Sequence, residues 1–259
     1  MDGAVAVVTG GGTGIGAAVV RRLAARGVRC VVNYASSRDE AEAVAAETGG
    51  VAVRGDVAED ADCRALARAA VERWGRLDLL VNNAGRTKFA NHEDLEALEA
   101  DDFLELYRVN TVSAFQMIRA CAPAMREGGM SAVVNVASVA GVFGIGSSVA
   151  YACTKGAMIT LTKSLARVLA PAIRVNAVAP GYVGTGWFEK RLGEEGFARL
   201  NDRIAGAVPM GFACGPEDVA GPIVNLLDPA SRAITGEVTL IDAGAHLDVG
   251  LSRRPGREG

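Results

Sequence analysis

The sequence predicts an α/β fold with a doubly wound (Rossmann-type) parallel sheet of about seven strands and helices on both faces. Short apolar runs rich in β-branched residues alternate with longer segments of helical periodicity. The runs are almost continuously apolar, as expected for strands that are covered on both sides. The predicted strands are Ala4–Val8, Val28–Asn33, Val51–Val53, Leu77–Val81, Ala132–Val136, Ile173–Ala177 and Val238–Ile241. The predicted helices include Ala17–Arg26, Asp60–Trp74, Phe103–Met125, Ala150–Leu169 and Glu217–Leu227.

One domain over residues 1–250 is expected, followed by a polar C-terminal tail at 251–259. The 259 residues suffice for one large core, and no linker, repeat or low-complexity run divides them. The segment Gly181–Gly215 carries several aromatic residues but no clear strand. Because parallel sheets bind ligands at the carboxyl ends of their strands, we expect a substrate lid around residues 183–214. The alternative is a surface excursion that packs its aromatic side chains on the core.

Composition excludes several classes of protein. A net charge of −3 provides no basic field for nucleic acid. Five scattered cysteines without a C-x-x-C pair fit neither a disulfide framework nor a zinc site, so free thiols in the cytoplasm are expected. No signal peptide and no apolar stretch of membrane length are apparent, which argues against a membrane partner. His92 and His246 fit neither a metal site nor a serine triad and are expected at the surface.

A glycine-rich turn joins the first predicted strand to the first helix. The run Thr9–Gly16 reads T-G-G-G-T-G-I-G. Glycine allows the backbone to approach a pyrophosphate closely, and the following helix offers free N–H donors, so the context favours a dinucleotide site. The motif alone is a weak signal, and a glycine turn without a cofactor is the alternative. No Lys-Ser/Thr pair follows the glycines, which disfavours a P-loop.

The end of the second strand bears on the choice of cofactor. The stretch from Tyr34 through Ser36 to Arg38 contains no carboxylate that would bind the ribose hydroxyls of NAD or repel a 2′-phosphate. Ser37 and Glu40 have the spacing of a capping box, which places Arg38 in a first helical turn, where a cation is unfavourable. We therefore expect Arg38 and Ser36 to bind the 2′-phosphate of NADP, with NAD as the less favoured cofactor. The alternative is a solvated surface arginine.

Further motifs follow in a fixed order. They are Asp56-Val57 after the third strand, Asn82-Asn83-Ala84-Gly85 after the fourth, Asn110 within a helix, Ser138 after the fifth strand, Tyr151 and Lys155 in a Y-x-x-x-K pair, and the loop Pro180–Thr185. In this order and spacing the chain resembles the short-chain dehydrogenase/reductase family from about Ala4 to Leu247, nearest to its 3-oxoacyl-carrier-protein reductases. The resemblance and the glycine turn together imply a cofactor site formed by Gly10, Thr13, Gly14, Ile15, Gly16, Tyr34, Ser36, Arg38, Asp56, Val57, Asn83, Ala84, Gly85, Lys155, Pro180, Gly181, Val183 and Thr185.

The resemblance also implies a catalytic set, and the residue chemistry agrees with it. Tyr151 and Lys155 are four apart and share one helix face. The Lys155 ammonium, with the positive charge of the nicotinamide nearby, should lower the pKa of Tyr151 and make it an acid–base group for interconverting a carbonyl and a secondary alcohol. Ser138 is expected to hold the substrate oxygen. Asn110 is expected to position a water that links Lys155 to solvent. A catalytically idle dinucleotide-binding sensor on the same fold is the alternative function, and an epimerase or dehydratase is a third.

The substrate region is less specific. Relatives that dock an acyl carrier protein often have arginines where this chain has Ala132 and Pro171, and Arg126 and Arg174 are displaced from those places, so carrier docking is an open question. Arg86 and Lys88 either meet an anionic substrate or form a solvated basic loop. An apolar pocket is expected from Phe143, Trp187, Phe188 and Met210. The resemblance further implies a homotetramer in which the helices Phe103–Met125 and Ala150–Leu169 pair between subunits.

Overall fold

The computed structural model describes residues 1–129 and 131–247, except for the side chain of Trp187; the predicted tail at 251–259 lies outside the described residues. Within this part of the chain, seven parallel strands form one sheet in the order β3-β2-β1-β4-β5-β6-β7. The prediction of a doubly wound parallel sheet is therefore confirmed. The strands are β1 Val5–Val8, β2 Arg29–Tyr34, β3 Val51–Arg54, β4 Leu79–Asn82, β5 Ser131–Val136, β6 Ile173–Pro180 and β7 Val238–Ile241.

Helices cover both faces of the sheet. Helices α1, α2 and α9 cover one face, and α3, α5 and α7 cover the other, with Val20 and Ile223 buried in the first layer and Leu66 and Met117 in the second. Each layer removes a large apolar surface from water, which is the main source of stability. The helices are α1 Gly14–Ala24, α2 Arg38–Thr48, α3 Asp60–Trp74, α4 Ala100–Tyr107, α5 Ser113–Glu127, α6 Val139–Phe143, α7 Val149–Leu169, α8 Gly186–Ala207 and α9 Pro216–Leu227.

Most predicted strand and helix ends are shifted by one to three residues, and two differences from the prediction bear on the site. Strand β6 continues past Ala177 to Pro180, because its last residues pair with β7. The helix expected over Phe103–Met125 is instead α4 and α5 joined by a π-helical turn at Arg108–Val112. Such turns contain one residue more than α-helical geometry allows, and they often occur at functional sites.

The topology brings four loops to one edge of the sheet. Strand order reverses between β1 and β4, and the loops after β1, β4, β5 and β6 all leave the carboxyl ends of their strands there. The segment expected to act as a lid follows β6 and consists mainly of α8, which is broken at Gly193 with φ +69°. Val183 and Cys214 form an isolated parallel bridge that closes the base of this segment.

The C-terminal end contains one unusual backbone conformation. Ala243 adopts φ +54°, a left-handed conformation that glycine adopts with less strain. The carbonyl of Ala243 accepts a hydrogen bond from the Met210 N–H at 3.1 Å, so the strained residue holds the end of the lid segment against β7. Among the described residues no helix is both long and apolar enough to cross a membrane.

Candidate active site

The glycine turn after β1 is packed too closely for side chains. Gly10 and Gly14 have φ +59° and +51°, which favour glycine. A Cβ on Gly16 would lie 2.2 Å from the Gly10 carbonyl oxygen, and one on Gly12 would lie 2.9 Å from the Cα and N of Ala41. The sequence motif therefore has a steric cause, because only glycine allows α1 to begin this close to the turn.

Polar groups from neighbouring strands hold the turn in place. The hydroxyl of Thr9 accepts hydrogen bonds from the backbone N–H groups of Asn83 and Ala84 at 2.9 and 3.0 Å. In return the Asn83 amide donates to the carbonyls of Thr9 and Gly10 at 3.0 and 3.1 Å. The Asn83 side chain, expected to contact the cofactor, is thus engaged in shaping the cofactor turn.

Asn33 is a functional residue that the sequence analysis missed. Its Oδ1 accepts from the Gly10 N–H at 3.2 Å, and its Nδ2 donates to the Gly55 carbonyl at 2.9 Å. The side chain is 2% exposed at the end of β2. A buried amide in an otherwise apolar strand must find partners, so its position in the sequence was a usable signal.

The turn and the loop after β6 face one another and fit a dinucleotide. A Cβ built on Gly14 would lie 3.5 Å from the Thr185 Cγ2, which brings the start of α1 next to the start of α8. Thr13 precedes α1 without a side-chain hydrogen bond to the helix N-terminus. Helix N–H donors, close backbone approach and a facing loop are what a pyrophosphate and a nicotinamide require. Gly10, Gly14, Ile15, Gly16, Gly181 and Val183 belong to these two loops.

The end of the cofactor cleft near β2 and α2, where the 2′-phosphate of NADP is expected to bind, is called the nucleotide end, and it differs from the prediction. Tyr34 is buried, whereas Ser36 is exposed and the Arg38 side chain is 70% exposed. Arg38 Nε donates to Glu42 Oε1 at 2.7 Å, one turn along α2. The capping box expected from Ser37 is not formed, because the Ser37 side chain makes no hydrogen bond to the helix. The first turn of α2 is stabilised instead by its acidic residues and by this ion pair.

The loop after β3 is ordered at the same end of the cleft. The Asp56 carboxylate accepts from the Ala58 N–H at 2.9 Å, and the Val57 carbonyl accepts from the Gln116 amide at 3.2 Å. Val57 is buried, and Asp56 is exposed. Asp56 and Val57 therefore lie in a fixed turn beside β2, as their predicted contact with the cofactor requires.

Ser138, Tyr151 and the loop after β6 come together at the opposite end. Ser138 begins α6, where its hydroxyl accepts from the Ala140 N–H at 3.1 Å and contacts the Pro180 carbonyl oxygen at 3.4 Å. Ser148 begins α7 and accepts from the Tyr151 N–H at 3.2 Å, which fixes the turn that carries the tyrosine. The Ser138 hydroxyl also lies close enough to the Tyr151 hydroxyl to lower the pKa of the tyrosine as a hydrogen-bond partner. The structure therefore brings these two hydroxyl groups together.

Lys155 lies one turn after Tyr151, but its charge acts differently from the prediction. Burial raises the pKa of Tyr151 to about 12, opposed by the hydrogen bond with Ser138. Burial lowers the pKa of Lys155 to about 8. The Lys155 ammonium donates to the Val136 carbonyl at 2.8 Å and lies 5.7 Å from the centre of the tyrosine ring. The expected lowering of the Tyr151 pKa combined the Lys155 ammonium with the charge of the nicotinamide; from the groups of the protein alone, desolvation of the phenolate raises this pKa instead.

Asn110 is buried in the π-helical turn and ties this turn to the loop after β4. Its Nδ2 donates to the Arg86 carbonyl at 2.9 Å and to the Thr154 hydroxyl at 3.0 Å, and its Oδ1 accepts from the Arg86 N–H at 2.8 Å. An amide side chain has two donors and two acceptor positions, so these bonds leave one acceptor position on Oδ1 for a water. Gly85 allows the approach, since a Cβ there would lie 3.2 Å from Oδ1 and 3.6 Å from Lys155 Nζ.

A second polar network, also missed, lies beneath the site. Asn82 donates to Asn135 Oδ1 at 2.9 Å, and Asn135 donates to the Thr162 hydroxyl at 2.9 Å. All three side chains are at most 4% exposed. The network connects β4, β5 and α7, so it fixes the helix that carries Tyr151 against the sheet. Asn135 again interrupts an apolar strand, which was the available signal.

Arg86, Lys88 and Arg174, three of the four basic residues considered for substrate or carrier binding, are engaged elsewhere. Arg86 pairs with Glu105 at 2.5 Å and Lys88 with Asp102 at 2.6 Å, both on α4. Arg174 is 5% exposed and donates to backbone carbonyls at the end of α9, including that of Leu226 at 2.8 Å. The interpretation of Arg86 and Lys88 as partners of an anionic substrate is therefore not supported.

The residues expected to line an apolar pocket are arranged differently from the prediction. Phe143 and Met210 are 47% and 67% exposed, and the Trp187 side chain lies outside the described residues. Phe188 packs on Tyr182, with ring centres 4.9 Å apart, and meets Phe89 edge-on at 6.3 Å. The residues that the sequence analysis missed are thus Phe89, in the loop after β4, and Tyr182.

The two histidines are more constrained than surface residues usually are. The His246 Nδ1 lies 2.9 Å from the Asp242 carboxylate, and its ring stacks on Phe143 with centres 6.4 Å apart. His92 is half-buried, and its Nε2 is inaccessible to solvent. His246 therefore joins the C-terminal segment to α6 near Ser138.

Comparison with known proteins agrees with this architecture. A family model described as enoyl-(acyl carrier protein) reductase matches residues 10–246. Ketoacyl reductase 2 of the granaticin polyketide synthase from Streptomyces violaceoruber is 42% identical over 94% of this chain and 96% of its own length. A 3-oxoacyl-(acyl carrier protein) reductase from Synechocystis sp. is 35% identical over 93% and 96%. A solved short-chain dehydrogenase/reductase from Burkholderia xenovorans is 38% identical, with a TM-score of 0.85 over 94% and 98%.

The fold, the assembled site and these similarities define an oxidoreductase with a dinucleotide cleft. The chain belongs to the short-chain dehydrogenase/reductase family and acts on a CH–OH group with a nicotinamide cofactor as acceptor.

Proposed function

We propose that the protein is an NADP(H)-dependent oxidoreductase that interconverts a ketone or 3-oxoacyl compound and a secondary alcohol, with Tyr151 as the general acid and base. The observation that carries this proposal is the approach of the Ser138 hydroxyl to the hydroxyl of Tyr151, whose pKa it lowers, one helical turn from Lys155. Two hydroxyl groups that converge beside the nicotinamide loop suit a carbonyl oxygen, which can accept from both.

The protonation states favour carbonyl reduction. A Tyr151 pKa of about 12 keeps the phenol protonated at neutral pH, so it is ready to donate to a developing alkoxide. A Lys155 pKa of about 8 lies close enough to neutrality for the ammonium to restore the proton to Tyr151. The nicotinamide supplies the hydride when it is bound. Ser138 orients the substrate oxygen, and Asn110 holds the π-helical turn that reaches toward solvent.

The preference for NADP rests on the end of β2. The loop from Tyr34 to Arg38 has no carboxylate, so it does not repel a 2′-phosphate. Glu42 engages only the Arg38 Nε. The two Nη nitrogens carry further donors that suit a phosphate, and the exposed hydroxyl of Ser36, two residues earlier, offers another. We accordingly favour NADP over NAD.

Assembly and location extend the same proposal. Phe115 on α5 is 40% exposed and Val168 on α7 is 64% exposed, which leaves apolar surface on the two helices expected to pair between subunits. We infer a homotetramer that buries these side chains. The five cysteines are free thiols, as expected for a reducing compartment, and we infer a cytoplasmic location.

The proposal is tested by following NADPH oxidation with a panel of ketones and a 3-oxoacyl thioester, each repeated with NADH. We expect turnover of at least one carbonyl compound, with a higher kcat/KM for NADPH than for NADH. Tight NADPH binding without turnover of any compound in the panel would support the idle sensor instead. Tighter binding of NADH than of NADPH would contradict the assignment of Arg38 and Ser36.

A further inference from the structure

Phe89 connects the loop after β4 to the lid helix α8. Its ring meets Phe188 edge-on, with centres 6.3 Å apart and planes at 69°. The Arg191 guanidinium carbon lies 4.0 Å from the centre of the same ring. Both contacts are favourable, the first between two aromatic quadrupoles and the second between a cation and a ring face. We call Phe89, Phe188 and Arg191 the clasp.

The clasp completes a circuit of contacts that links the segment before Tyr151 to the loop that Ser138 contacts. On one side, the Ala90 N–H donates to the Ser147 carbonyl at 2.9 Å, which ties the Phe89 loop to the residue before the cap of Tyr151. On the other side, Phe188 packs on Tyr182, two residues after the Pro180 carbonyl that Ser138 contacts. The Phe89 loop and the lid thus approach the site from different strands and meet at the clasp.

Further hydrogen bonds anchor both the Phe89 loop and the base of the lid segment. Asn110 holds Arg86 through its backbone N–H and carbonyl, three residues before Phe89. The Tyr182 hydroxyl donates to Asn201 Oδ1 at 2.8 Å, which fixes the base of the lid to the second half of α8. The clasp itself is half open to solvent, since Phe89 remains 40% exposed. The clasp is therefore a contact between two anchored segments and is the weakest part of the circuit.

We propose that the clasp closes the outer end of the substrate space above Tyr151 and Ser138, so that Phe89 limits the size of the substrate and favours a compact apolar ketone. The proposal rests on the carbonyl reductase function proposed above and names the substrate class of that same site. A compact ketone fits inside the circuit with the clasp closed. A long acyl chain, or one carried on a protein, must part Phe89 from Phe188 and Arg191 to extend outward.

The charges around the opening support an apolar substrate. Arg86 and Lys88 are paired with carboxylates of α4, and the Arg191 guanidinium lies over a ring face. Each cation thus has a partner, and the side chains of the clasp and its neighbour Tyr182 are mainly aromatic. An anionic substrate would have to displace one of these partners, whereas an aromatic or branched apolar ketone contacts ring faces without doing so.

The test measures kcat/KM with NADPH for a series of methyl ketones from butanone upward in chain length, together with a long 3-oxoacyl thioester of N-acetylcysteamine. In the parent protein kcat/KM should fall beyond a short chain length. Phe89→Ala should raise the ratio of long-chain to short-chain kcat/KM about tenfold, because it removes an aromatic pair and a cation–π contact together. Arg191→Leu should raise it about threefold.

Two matched variants control for general effects. Leu95→Ala removes an exposed apolar side chain from the same loop, and Arg73→Leu removes an arginine that lies 5.6 Å from the centre of the Trp74 ring on α3. Both should leave the ratio unchanged. Phe89→Leu, which keeps apolar volume and removes the ring, guards against misfolding of the alanine variant and should shift the ratio in the same direction.

The outcomes separate the two proposals. If Phe89→Ala and Phe89→Leu reduce short ketones as well as the parent does and keep the parent ratio, the role of Phe89 is refuted and the carbonyl reductase function stands. A preference of the parent for the long thioester over every short ketone also refutes the role of Phe89. Failure of the folded parent to reduce any carbonyl compound refutes the proposed function itself.

Discussion

The two ends of the cofactor cleft are constructed differently. At the catalytic end, Lys155 and Asn110 are at most 4% exposed, and each side chain is held by the backbone of another element. At the nucleotide end, Arg38 is 70% exposed and has one ion pair within its own helix. The proposed proton transfers thus take place among buried side chains, whereas the proposed preference for NADP depends on a side chain at the surface. Substitutions should therefore have effects that differ by orders of magnitude between the two ends.

The largest effect is expected at the catalytic end, from Lys155→Met. Loss of the buried ammonium removes the group that restores the proton to Tyr151, so kcat should fall about a thousandfold. NADPH oxidation with the best ketone of the panel measures this loss. A fall of less than tenfold would show that Lys155 is not part of the proton path.

The same variant should be more stable than the parent. Lowering the pKa of Lys155 from 10.5 to about 8 means that the buried charge costs about 3 kcal/mol at neutral pH. Between about pH 8 and pH 10.5, Lys155 binds more protons in the unfolded chain than in the folded chain, so the stability of the parent rises with pH in this range. Burial raises the pKa of Tyr151 to about 12, so that group begins to oppose this trend only above about pH 10. In thermal melting from pH 7 to 10, the Tm of Lys155→Met should exceed that of the parent at pH 7, and this difference in Tm should narrow above pH 8. A constant gap would contradict the assigned pKa.

Ser138→Ala is expected to have the next largest effect. The variant loses the hydroxyl that holds the substrate oxygen and that bonds to Tyr151, and kcat should fall about a hundredfold. Affinity for NADPH, measured by quenching of protein fluorescence, should stay within about twofold because the serine is at the substrate side. A loss of NADPH affinity as large as the loss of kcat would mean that Ser138 instead supports the loop after β6, which it contacts at the Pro180 carbonyl.

A smaller effect is expected at the nucleotide end, from Arg38→Ala. Removing an exposed arginine should weaken NADPH binding about tenfold and leave kcat nearly unchanged, because a charge-assisted bond to phosphate is lost far from the chemistry. NADH affinity serves as the control and should not change. Equal losses for both cofactors would show that Arg38 acts through α2 rather than through a 2′-phosphate.

Glu42→Gln should have the smallest effect and the opposite sign. It weakens the ion pair that competes for Arg38, so NADPH should bind about twofold more tightly. The gain should disappear in the double variant with Arg38→Ala. Weaker NADPH binding in the single variant would mean that Glu42 orients Arg38 for the phosphate and does not compete with it.

The comparison also explains how much the sequence could predict. The sheet, the glycine turn and the pairing of Tyr151 with Ser138 depend on local spacing and on the fixed direction of parallel strands, which a sequence contains. The engagement of Arg86 and Lys88 by α4 depends on where a long loop comes to rest, and no local rule describes that. The effect of burial on the pKa of Tyr151 was missed for a related reason, since spacing reveals the neighbouring Lys155 but not the depth of burial.

Two of the residues that the sequence analysis missed could have been identified from the sequence, and one could not. Asn33 and Asn135 each interrupt an apolar buried strand, and a buried amide without a partner is costly, so both could have been marked as structural supports of the site. The clasp at Phe89 could not have been anticipated, because its partners are about a hundred residues away on a helix that the sequence suggested only as a lid.

The proposed carbonyl reduction depends most directly on Tyr151, and two measurements on Tyr151→Phe test the role of this residue. The substitution removes one hydroxyl and keeps the ring, so the folded protein should bind NADPH with a Kd within about twofold of the parent. Its kcat for the best ketone should fall about a thousandfold or more. Turnover close to that of the parent, with NADPH still bound, would contradict the proposal that Tyr151 donates the proton.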